Sequence, residues 1–119
     1  MMNVSRTSAV ELATRIKQRD VSPVEVLDAH LETIAVQNPK FNAIVTLAED
    51  KARLAAKAAE AAVLNNETLG PLHGLPVVIK DVTLTAGIRT TYGSPLYKDF
   101  VPDEDAAVVV NQDLGKLRD

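Results

Sequence analysis

The segment from residue 70 to residue 81 constrains the fold of this chain more than any other. It reads Gly-Pro-Leu-His-Gly-Leu-Pro-Val-Val-Ile-Lys-Asp, so two glycines and two prolines precede a run of three β-branched residues. Such a run predicts a short buried strand that ends at Lys80. A charged ammonium is costly in an apolar interior, so the lysine needs a partner, access to water or the loss of its proton. The last of these outcomes would make it a base.

Two serine-led motifs predict where the first helices begin. Residues 8–11 (Ser-Ala-Val-Glu) and 22–25 (Ser-Pro-Val-Glu) both have the capping-box spacing, and Pro23 suits the first helical position. Asn38-Pro39 is expected to end the second helix, because proline disfavours helical backbone in the residue before it. The apolar positions expected to face the core are Ala9, Leu12, Ala13 and Ile16 in the first helix and Val24, Leu27, Leu31 and Ile34 in the second.

The remaining segments alternate between strand and helix signals. Residues 41–46 predict a short strand, and residues 47–64 predict a long Ala-rich outer helix. Residues 83–91 fit either a short hairpin or an irregular loop, residues 93–95 a turn, and residues 106–110 the start of a helix. This order predicts an α/β fold. The positions expected on the apolar side of the Ala-rich helix are Leu47, Leu54, Ala58, Ala61 and Ala62.

Composition excludes several classes of function. The chain has 119 residues, a net charge of −3, no Cys and two His. We therefore expect no nucleic-acid partner, no membrane span, no disulfide, no metal site and no cofactor, and a cytoplasmic location. Only four residues are aromatic and much of the apolar content is Ala, so an independent core would be thin. That thin core suggests part of a larger fold, with exposed apolar surface and self-association.

Lys80 is the main candidate for chemistry. A lysine that serves as a base at neutral pH needs a pKa about 3 below its ordinary ~10.4, and burial lowers a lysine pKa. Judged from the residues alone, Lys80 is more often a strand-end lysine whose ammonium reaches water. Ser94 fits a turn serine rather than a nucleophile, His30 fits a helix-flank histidine, and His73 fits either a structural or an exposed position. No phosphate-binding glycine pattern is present.

The same segment resembles the start of the core of the amidase signature family. Matching stretches follow at residues 85–87 (Thr-Ala-Gly), 90–95 (Thr-Thr-Tyr-Gly-Ser-Pro) and 101–109 (Val-Pro-Asp-Glu-Asp-Ala-Ala-Val-Val), and upstream at residues 22–26 and 42–43. The resemblance extends over nearly the whole chain to about Val110. Residues 111–119 fit the family pattern poorly, which suggests that the family sequence ends early through truncation, gene splitting or a frameshift.

The resemblance implies a fold and a mechanism. The implied fold is α/β, with N-terminal helices and the first strands of a mixed central sheet flanked by helices. Residues 1–119 would form one partial domain, with residues 1–66 helical apart from one short strand and residues 67–119 starting the amidase core. The implied activity is hydrolysis of a linear carboxamide C–N bond by a Ser–cis-Ser–Lys triad with an acyl-enzyme intermediate. Lys80 matches the lysine, the base of that triad, and is the only catalytic residue predicted.

The serines of the triad have no counterpart in this chain. Its four serines are Ser5, Ser8, Ser22 and Ser94, and none matches a catalytic position of the family. The expected substrate is a small-molecule amide of unknown class, and the chain alone is expected to be inactive. We also expect self-association or pairing with a missing C-terminal part.

Two alternatives remain open. The first is the amidase-like subunit of a tRNA-dependent glutamyl/aspartyl amidotransferase; residues 91–95 lack the Cys-Ala-Ser run associated with that subunit, which favours a generic amidase. The second is a non-catalytic fragment that complements a separate chain by covering an open sheet edge.

Overall fold

Helices and irregular segments make up the computed structural model, which describes residues 2–110. The four α-helices are α1 (Ala9–Lys17), α2 (Pro23–Phe41), α3 (Glu49–Leu64) and α4 (Ala107–Val110), and short 3₁₀ helices span Val4–Arg6 and Pro95–Tyr97. Residues 2–110 contain no β-strand, so the sheet of the predicted α/β fold is not confirmed. None of the helices in this range is long and apolar enough to cross a membrane.

Both predicted capping boxes mark a helix start. The Ser8 hydroxyl accepts a hydrogen bond from the Glu11 backbone N–H at 3.2 Å, and the Ser22 hydroxyl accepts one from the Glu25 N–H at 3.0 Å. Pro23 occupies the beginning of α2, where its missing N–H costs no helical hydrogen bond. The predicted starts of α1 and α2 are therefore confirmed.

The predicted end of α2 is wrong. Pro39 lies inside the helix, which continues to Phe41 and ends at Asn42 in the left-handed conformation (φ 49°). The Asn38 side chain closes this end by accepting from the Ile44 N–H at 2.9 Å and donating to the Ile44 carbonyl at 3.0 Å. A proline so close to the end removes one helical hydrogen bond and has the φ that a helix needs, so the last turn persists.

The strand predicted for residues 41–46 is also wrong. The backbone after α2 turns through the left-handed Asn42 and runs irregularly to Ala48. A strand requires a neighbouring strand for its backbone hydrogen bonds, and residues 2–110 provide none here. The segment is held instead by the bonds of Ile44 to Asn38.

The hydrophobic core lies where α1, the start of α2 and the end of α3 meet. Ile16 and Val26 are fully buried there. Ile16 follows the predicted core face of α1, whereas Val26 lies outside the face predicted for α2. The buried cluster consists of Leu12, Ile16, Val21, Val26 and Val63, with Met2, Val4, Leu69 and Leu75 packed against it.

Helix α3 buries only part of the side predicted to be apolar: Ala62 is buried, whereas Ala58 and Ala61 are exposed. Leu54, predicted on the apolar side of this helix, is 70% exposed. The buried residues of α3 are Ala56, Ala59, Ala62 and Val63. A helix with alanine on every side has little hydrophobic periodicity, so its sequence does not define which side packs against α2. The alanines on the buried side let α2 and the loop at residues 70–75 approach closely.

Residues 80–106 form an irregular, hydrogen-bonded pair of segments. Backbone bonds join the Gly87 N–H to the Pro102 carbonyl and the Thr90 N–H to the Phe100 carbonyl, both at 3.0 Å, and the Ala106 N–H to the Leu84 carbonyl at 2.9 Å. The irregular-loop alternative for residues 83–91 is therefore correct. The helix predicted from residue 106 begins at Ala107, and residues 111–119 lie outside the described part of the chain.

Candidate functional site

Lys80 lies at the protein surface, directly after the segment that predicted a strand. Its side chain is exposed, as are Val77 (49%) and Val78 (71%). Within residues 2–110, no hydrogen bond or ion pair involves the Lys80 ammonium. The buried-strand prediction is therefore wrong for this chain, whereas the interpretation from the residues alone, a lysine that reaches water, agrees with the structure.

The backbone before Lys80 is unpaired within the described part of the chain. No backbone hydrogen bond reaches the N–H groups of residues 77–80 or the carbonyls of residues 76–79. A buried strand needs these groups paired and both of its faces covered. Residues 2–110 supply neither the partner strand nor the cover, which is the physical reason for the failed prediction.

The backbone after Lys80 is, in contrast, firmly held. The Asp81 carboxylate accepts from the Thr91 backbone N–H at 2.8 Å and from the Thr91 hydroxyl, and the Asp81 carbonyl accepts from the Tyr92 N–H at 2.8 Å. The hydrogen bonds from Thr91 lower the pKa of the Asp81 carboxyl below its ordinary value, and the positive charge of Arg89 lowers it further. The negative charge beside Lys80 is thus stabilised by Thr91.

A tight turn follows Thr91. Tyr92 (φ 54°) and Gly93 (φ 67°) both adopt left-handed backbone, which is uncommon for an aromatic residue. The Gly93 N–H donates to the Thr91 hydroxyl oxygen at 3.2 Å, and the Ser94 N–H donates to the Thr91 carbonyl at 2.9 Å. Thr91, only 7% exposed, is therefore the residue on which both the turn and Asp81 depend.

Each of the four serine hydroxyls takes part in a local hydrogen bond. Ser5 donates to the Asn3 side chain at 3.0 Å, and Ser94 accepts from the Leu96 N–H at 3.3 Å as the cap of the second 3₁₀ helix. Ser8 and Ser22 cap α1 and α2. The predicted role of Ser94 as a turn serine is confirmed, and the structure brings none of the four serines into a hydrogen bond with Lys80.

Both histidines contact a backbone carbonyl of a helix, and His73 takes the structural and not the exposed position of the two left open by the sequence. The His30 Nδ1 lies 2.7 Å from the Val26 carbonyl on its own helix. His73 is 4% exposed, and its Nε2 lies 2.9 Å from the Ala59 carbonyl, which fixes the loop at residues 70–75 against α3. Because a carbonyl only accepts, Nε2 carries the proton and Nδ1 is left as a buried acceptor without a partner among the described residues.

An aromatic cluster beside the turn was not predicted from the sequence. Tyr92 and Tyr97 meet edge to face with ring centroids 5.1 Å apart, and Phe100 lies 5.8 Å from Tyr97 and 6.4 Å from Tyr92. All three rings remain between 37% and 45% exposed. The available signal was the concentration of three of the four aromatic residues within residues 92–100.

Two cations connect this region to the rest of the chain. The Lys51 ammonium donates to the Gly87 carbonyl. The Arg89 guanidinium donates to the Lys98 carbonyl and, at 3.1 Å, to the Thr46 hydroxyl. Residues 2–110 hold no group of three or more His, Cys, Asp or Glu side chains that could bind a metal ion.

The amidase resemblance rests on the residues around Lys80 and on the stretches that follow them. The model of the Amidase family matches residues 25–112, which is most of the chain and includes all of the site. The chain belongs to the amidase family. Lys80 and Thr91 both lie within the matched range.

Two named relatives show the breadth of this family. A glutamyl-tRNA(Gln) amidotransferase subunit from Acidothermus cellulolyticus is 43% identical over 119 residues, which is 100% of this chain and 23% of that protein. An amidase from Pseudomonas putida is 38% identical over 117 residues, which is 98% of this chain and 25% of that protein. The chain thus spans about a quarter of the length of the curated relatives it matches.

A solved structure is similar to this chain in fold. It is described as "An unexpected vestigial protein complex reveals the evolutionary origins of an s-triazine catabolic enzyme" and is similar to this chain with a TM-score of 0.82 and 28% identity. The match covers 87% of this chain and 23% of the other.

Proposed function

We propose that this chain supplies the catalytic lysine, Lys80, of an amidase that hydrolyses the C–N bond of a linear carboxamide. The observation that carries the proposal is the family match across residues 25–112, which includes the Gly-Pro-Leu-His-Gly-Leu-Pro-Val-Val-Ile-Lys-Asp segment. In this proposal Lys80 removes a proton, through a bridging serine, from a nucleophilic serine that attacks the amide carbonyl.

The surroundings of Lys80 support this role in two ways. First, its ammonium makes no ion pair with any of residues 2–110, so no salt bridge has to be broken before it acts. Second, the carboxylate closest in sequence is bound to Thr91. A carboxylate paired with a lysine favours the charged form, which is the wrong form for a base.

Both serines of the mechanism come, in this proposal, from residues other than the four serines of this chain. Three of these serines cap helices and the fourth bonds to Asn3. We therefore expect no amide hydrolysis by the 119-residue chain alone. Activity requires a second segment that carries a serine pair and covers the region around residues 76–80.

A chimera tests the proposal directly. The matched quarter of the Pseudomonas putida amidase is replaced by this chain, and ammonia release from a simple carboxamide such as propionamide is measured. We expect turnover in the chimera and its loss in the Lys80→Ala chimera. Lys57→Ala, which alters an exposed lysine of α3, is the matched control and keeps turnover. Equal turnover in the Lys80→Ala and Lys57→Ala chimeras contradicts the proposal.

A second candidate function is favoured by the relative from Acidothermus cellulolyticus. At 43% identity over the full chain, that protein is named as one subunit of a glutamyl-tRNA(Gln) amidotransferase. In this candidate the same lysine acts within an assembly of several subunits. Co-purification of this chain with other subunits of such an amidotransferase supports this candidate; turnover of propionamide by the chimera without those subunits favours the first.

The surface around Lys80 also supports pairing with another polypeptide segment. The N–H groups of residues 77–80 have no partner within residues 2–110, and Val77, Val78, Val82 and Leu96 are between 48% and 91% exposed. An unpaired edge flanked by apolar side chains accepts an added strand. Sedimentation of the chain alone tests this pairing. We expect the unsubstituted chain to self-associate, and we expect the double variant Val78→Asp with Leu96→Asp to lose this self-association. A monodisperse monomer before substitution contradicts the pairing.

A further inference from the structure

The bonds between Asp81 and Thr91 bear on how Lys80 works. Thr91 presents two donors to one carboxylate, its backbone N–H at 2.8 Å and its hydroxyl. The next N–H along, that of Tyr92, binds the Asp81 carbonyl at 2.8 Å. Three hydrogen bonds therefore fix the residue that follows Lys80, and Thr91, which supplies two of them, is itself buried (7% exposed).

Lys80 itself lies at the boundary between fixed and unpaired backbone. Its carbonyl accepts from the Thr83 N–H at 2.9 Å, which closes a turn on the Asp81 side. On the other side, residues 76–79 make no backbone hydrogen bond within the described part of the chain. The direction of the Lys80 side chain is consequently set from the side of Asp81 and Thr91.

We propose that Asp81 and Thr91 form a positioning pair that fixes Lys80 and keeps the Asp81 carboxylate from pairing with its ammonium. This inference rests on the proposed role of Lys80 and adds two residues to it. Neither Asp81 nor Thr91 touches the reacting atoms. Thr91 acts by satisfying the negative charge of Asp81, the residue next to Lys80 in sequence, so that this charge has hydrogen-bond donors other than the Lys80 ammonium.

The pair predicts a specific pattern of Lys80 reactivity. Thr91→Val removes the hydroxyl and keeps the shape of the side chain, so the carboxylate loses its hydroxyl donor and is expected to turn to Lys80. Only an unprotonated amine reacts with acetic anhydride, and an ion pair with Asp81 would favour the protonated form of Lys80. We therefore expect the rate of Lys80 acetylation, divided by that of Lys57 in the same sample, to fall by about two- to fivefold, as for a solvent-screened ion pair. Mass spectrometry of the two lysine peptides measures the ratio in the 119-residue chain.

The double variant separates positioning from simple loss of structure. In Thr91→Val with Asp81→Asn no carboxylate remains to pair with Lys80, so the acetylation ratio returns to the unsubstituted value. Damage to the fold alone would not be reversed by a second substitution. Thr91→Ser, which retains the hydroxyl, is expected to keep the original ratio.

A neighbouring threonine provides the matched control. Thr90 is 2% exposed, and its hydroxyl donates to the Ile88 carbonyl at 3.3 Å instead of to a carboxylate. Thr90→Val therefore removes an equally buried hydroxyl without releasing Asp81, and the Lys80 ratio should stay unchanged. Should Thr91→Val not fold, Asp81→Glu keeps the charge, displaces it from Thr91 and is expected to slow Lys80 in the same way.

The outcomes distinguish this inference from the proposed function. An unchanged acetylation ratio in both Thr91→Val and Asp81→Glu overturns the positioning pair, while loss of turnover in the Lys80→Ala chimera still supports the amidase. Turnover that survives Lys80→Ala overturns the proposed function, and the positioning role falls with it. Two results together support the positioning pair and the proposed function. The Lys80/Lys57 acetylation ratio falls in Thr91→Val and is restored in the double variant, and the Thr91→Val chimera has a reduced kcat with an unchanged KM.

Discussion

Gly74 lies so close to Pro23 that a Cβ on the glycine would stand 2.9 Å from the proline Cγ. The same Cβ would come within 3.2 Å of the Ile16 side chain, and the backbone of Gly74 is left-handed (φ 82°). Only a residue without a side chain allows the loop that carries His73 to seat against α1 and α2. This contact joins the segment before Lys80 to the helical core.

Gly74→Ala should therefore destabilise the fold strongly. Overpacking against Pro23 and a left-handed alanine together cost about 3 kcal/mol of unfolding free energy. Urea denaturation followed by circular dichroism measures the loss. Gly93→Ala is the control, because Gly93 has φ 67° but no atom within 4 Å of the added Cβ, so its cost is about 1 kcal/mol. Equal losses for the two variants would show that the contact with Pro23 is unimportant.

Removing the N-terminal cap of α2 should lower the free energy of unfolding by less than Gly74→Ala does. Ser22→Ala leaves the Glu25 N–H without its acceptor, at a cost of about 1 kcal/mol. Ser22→Asp keeps an acceptor oxygen and is expected to retain most of the stability. Ser5→Ala, which removes an exposed bond to Asn3, should change stability by less than about 0.5 kcal/mol. The midpoints of urea denaturation compare the three, and similar values for Ser22→Ala and Ser5→Ala would contradict the capping role.

The centre of the core can be tested with two large-to-small substitutions. Ile16 is fully buried, so Ile16→Ala should cost about 3–4 kcal/mol through lost transfer energy and the cavity left behind. Leu54 is 70% exposed on α3, and Leu54→Ala should change stability by less than about 0.5 kcal/mol. Thermal unfolding of both variants measures the difference. A larger loss for Leu54→Ala would mean that α3 packs through the face predicted from its sequence.

Local signals in the sequence predicted the helix starts well. Ser8 and Ser22 act within three residues of themselves, because a cap needs only the backbone N–H groups of its own first turn. The same is true of Ser94, a turn serine in both the prediction and the structure. Family membership was likewise recoverable, since it depends on residue order between positions 70 and 109 rather than on packing.

Features that depend on distant residues were predicted poorly. Val77 and Val78 have strand propensity, but a strand forms only with a partner, and residues 2–110 offer none. Leu54 lies outside the buried face of α3. Alanines occur around this helix, so its contacts with α2 and His73 determine which side is buried. Pro39 did not end α2, because the Asn38 side chain and the left-handed Asn42 complete the last turn.

The candidate site was likewise only half predictable. Lys80 was identified from the order of residues around it, and the structure places it at the surface beside a satisfied carboxylate. The partner of Asp81 is ten residues away across an irregular loop, and no periodic pattern marks Thr91. Irregular loops are defined by individual hydrogen bonds, which the sequence does not specify until the fold brings the groups together.

Acidification tests the Asp81–Thr91 bonds in the folded chain. Hydrogen bonds from Thr91 lower the pKa of Asp81 in the folded state below its ordinary value of 3.8. A carboxyl with a lowered pKa contributes stability at pH values above the ordinary value and loses that contribution as the pH falls through the folded-state pKa. The unsubstituted chain should therefore exceed Asp81→Asn in stability most clearly near neutral pH, and this advantage should shrink as the pH is taken below 3.8.

A second aspartate shows whether this pH dependence belongs to Asp81. Asp99 is exposed in the neighbouring loop, so Asp99→Asn removes a carboxylate of the same region and should leave the pH dependence in place. Urea midpoints of the unsubstituted chain and of both variants, measured from neutral pH to below 3.8, make the comparison. An advantage over Asp81→Asn that is independent of pH would mean that Thr91 does not stabilise the charge of Asp81. Protonation removes this charge and weakens the carboxyl group as a hydrogen-bond acceptor, so an advantage that depends on the charge must shrink as the pH falls.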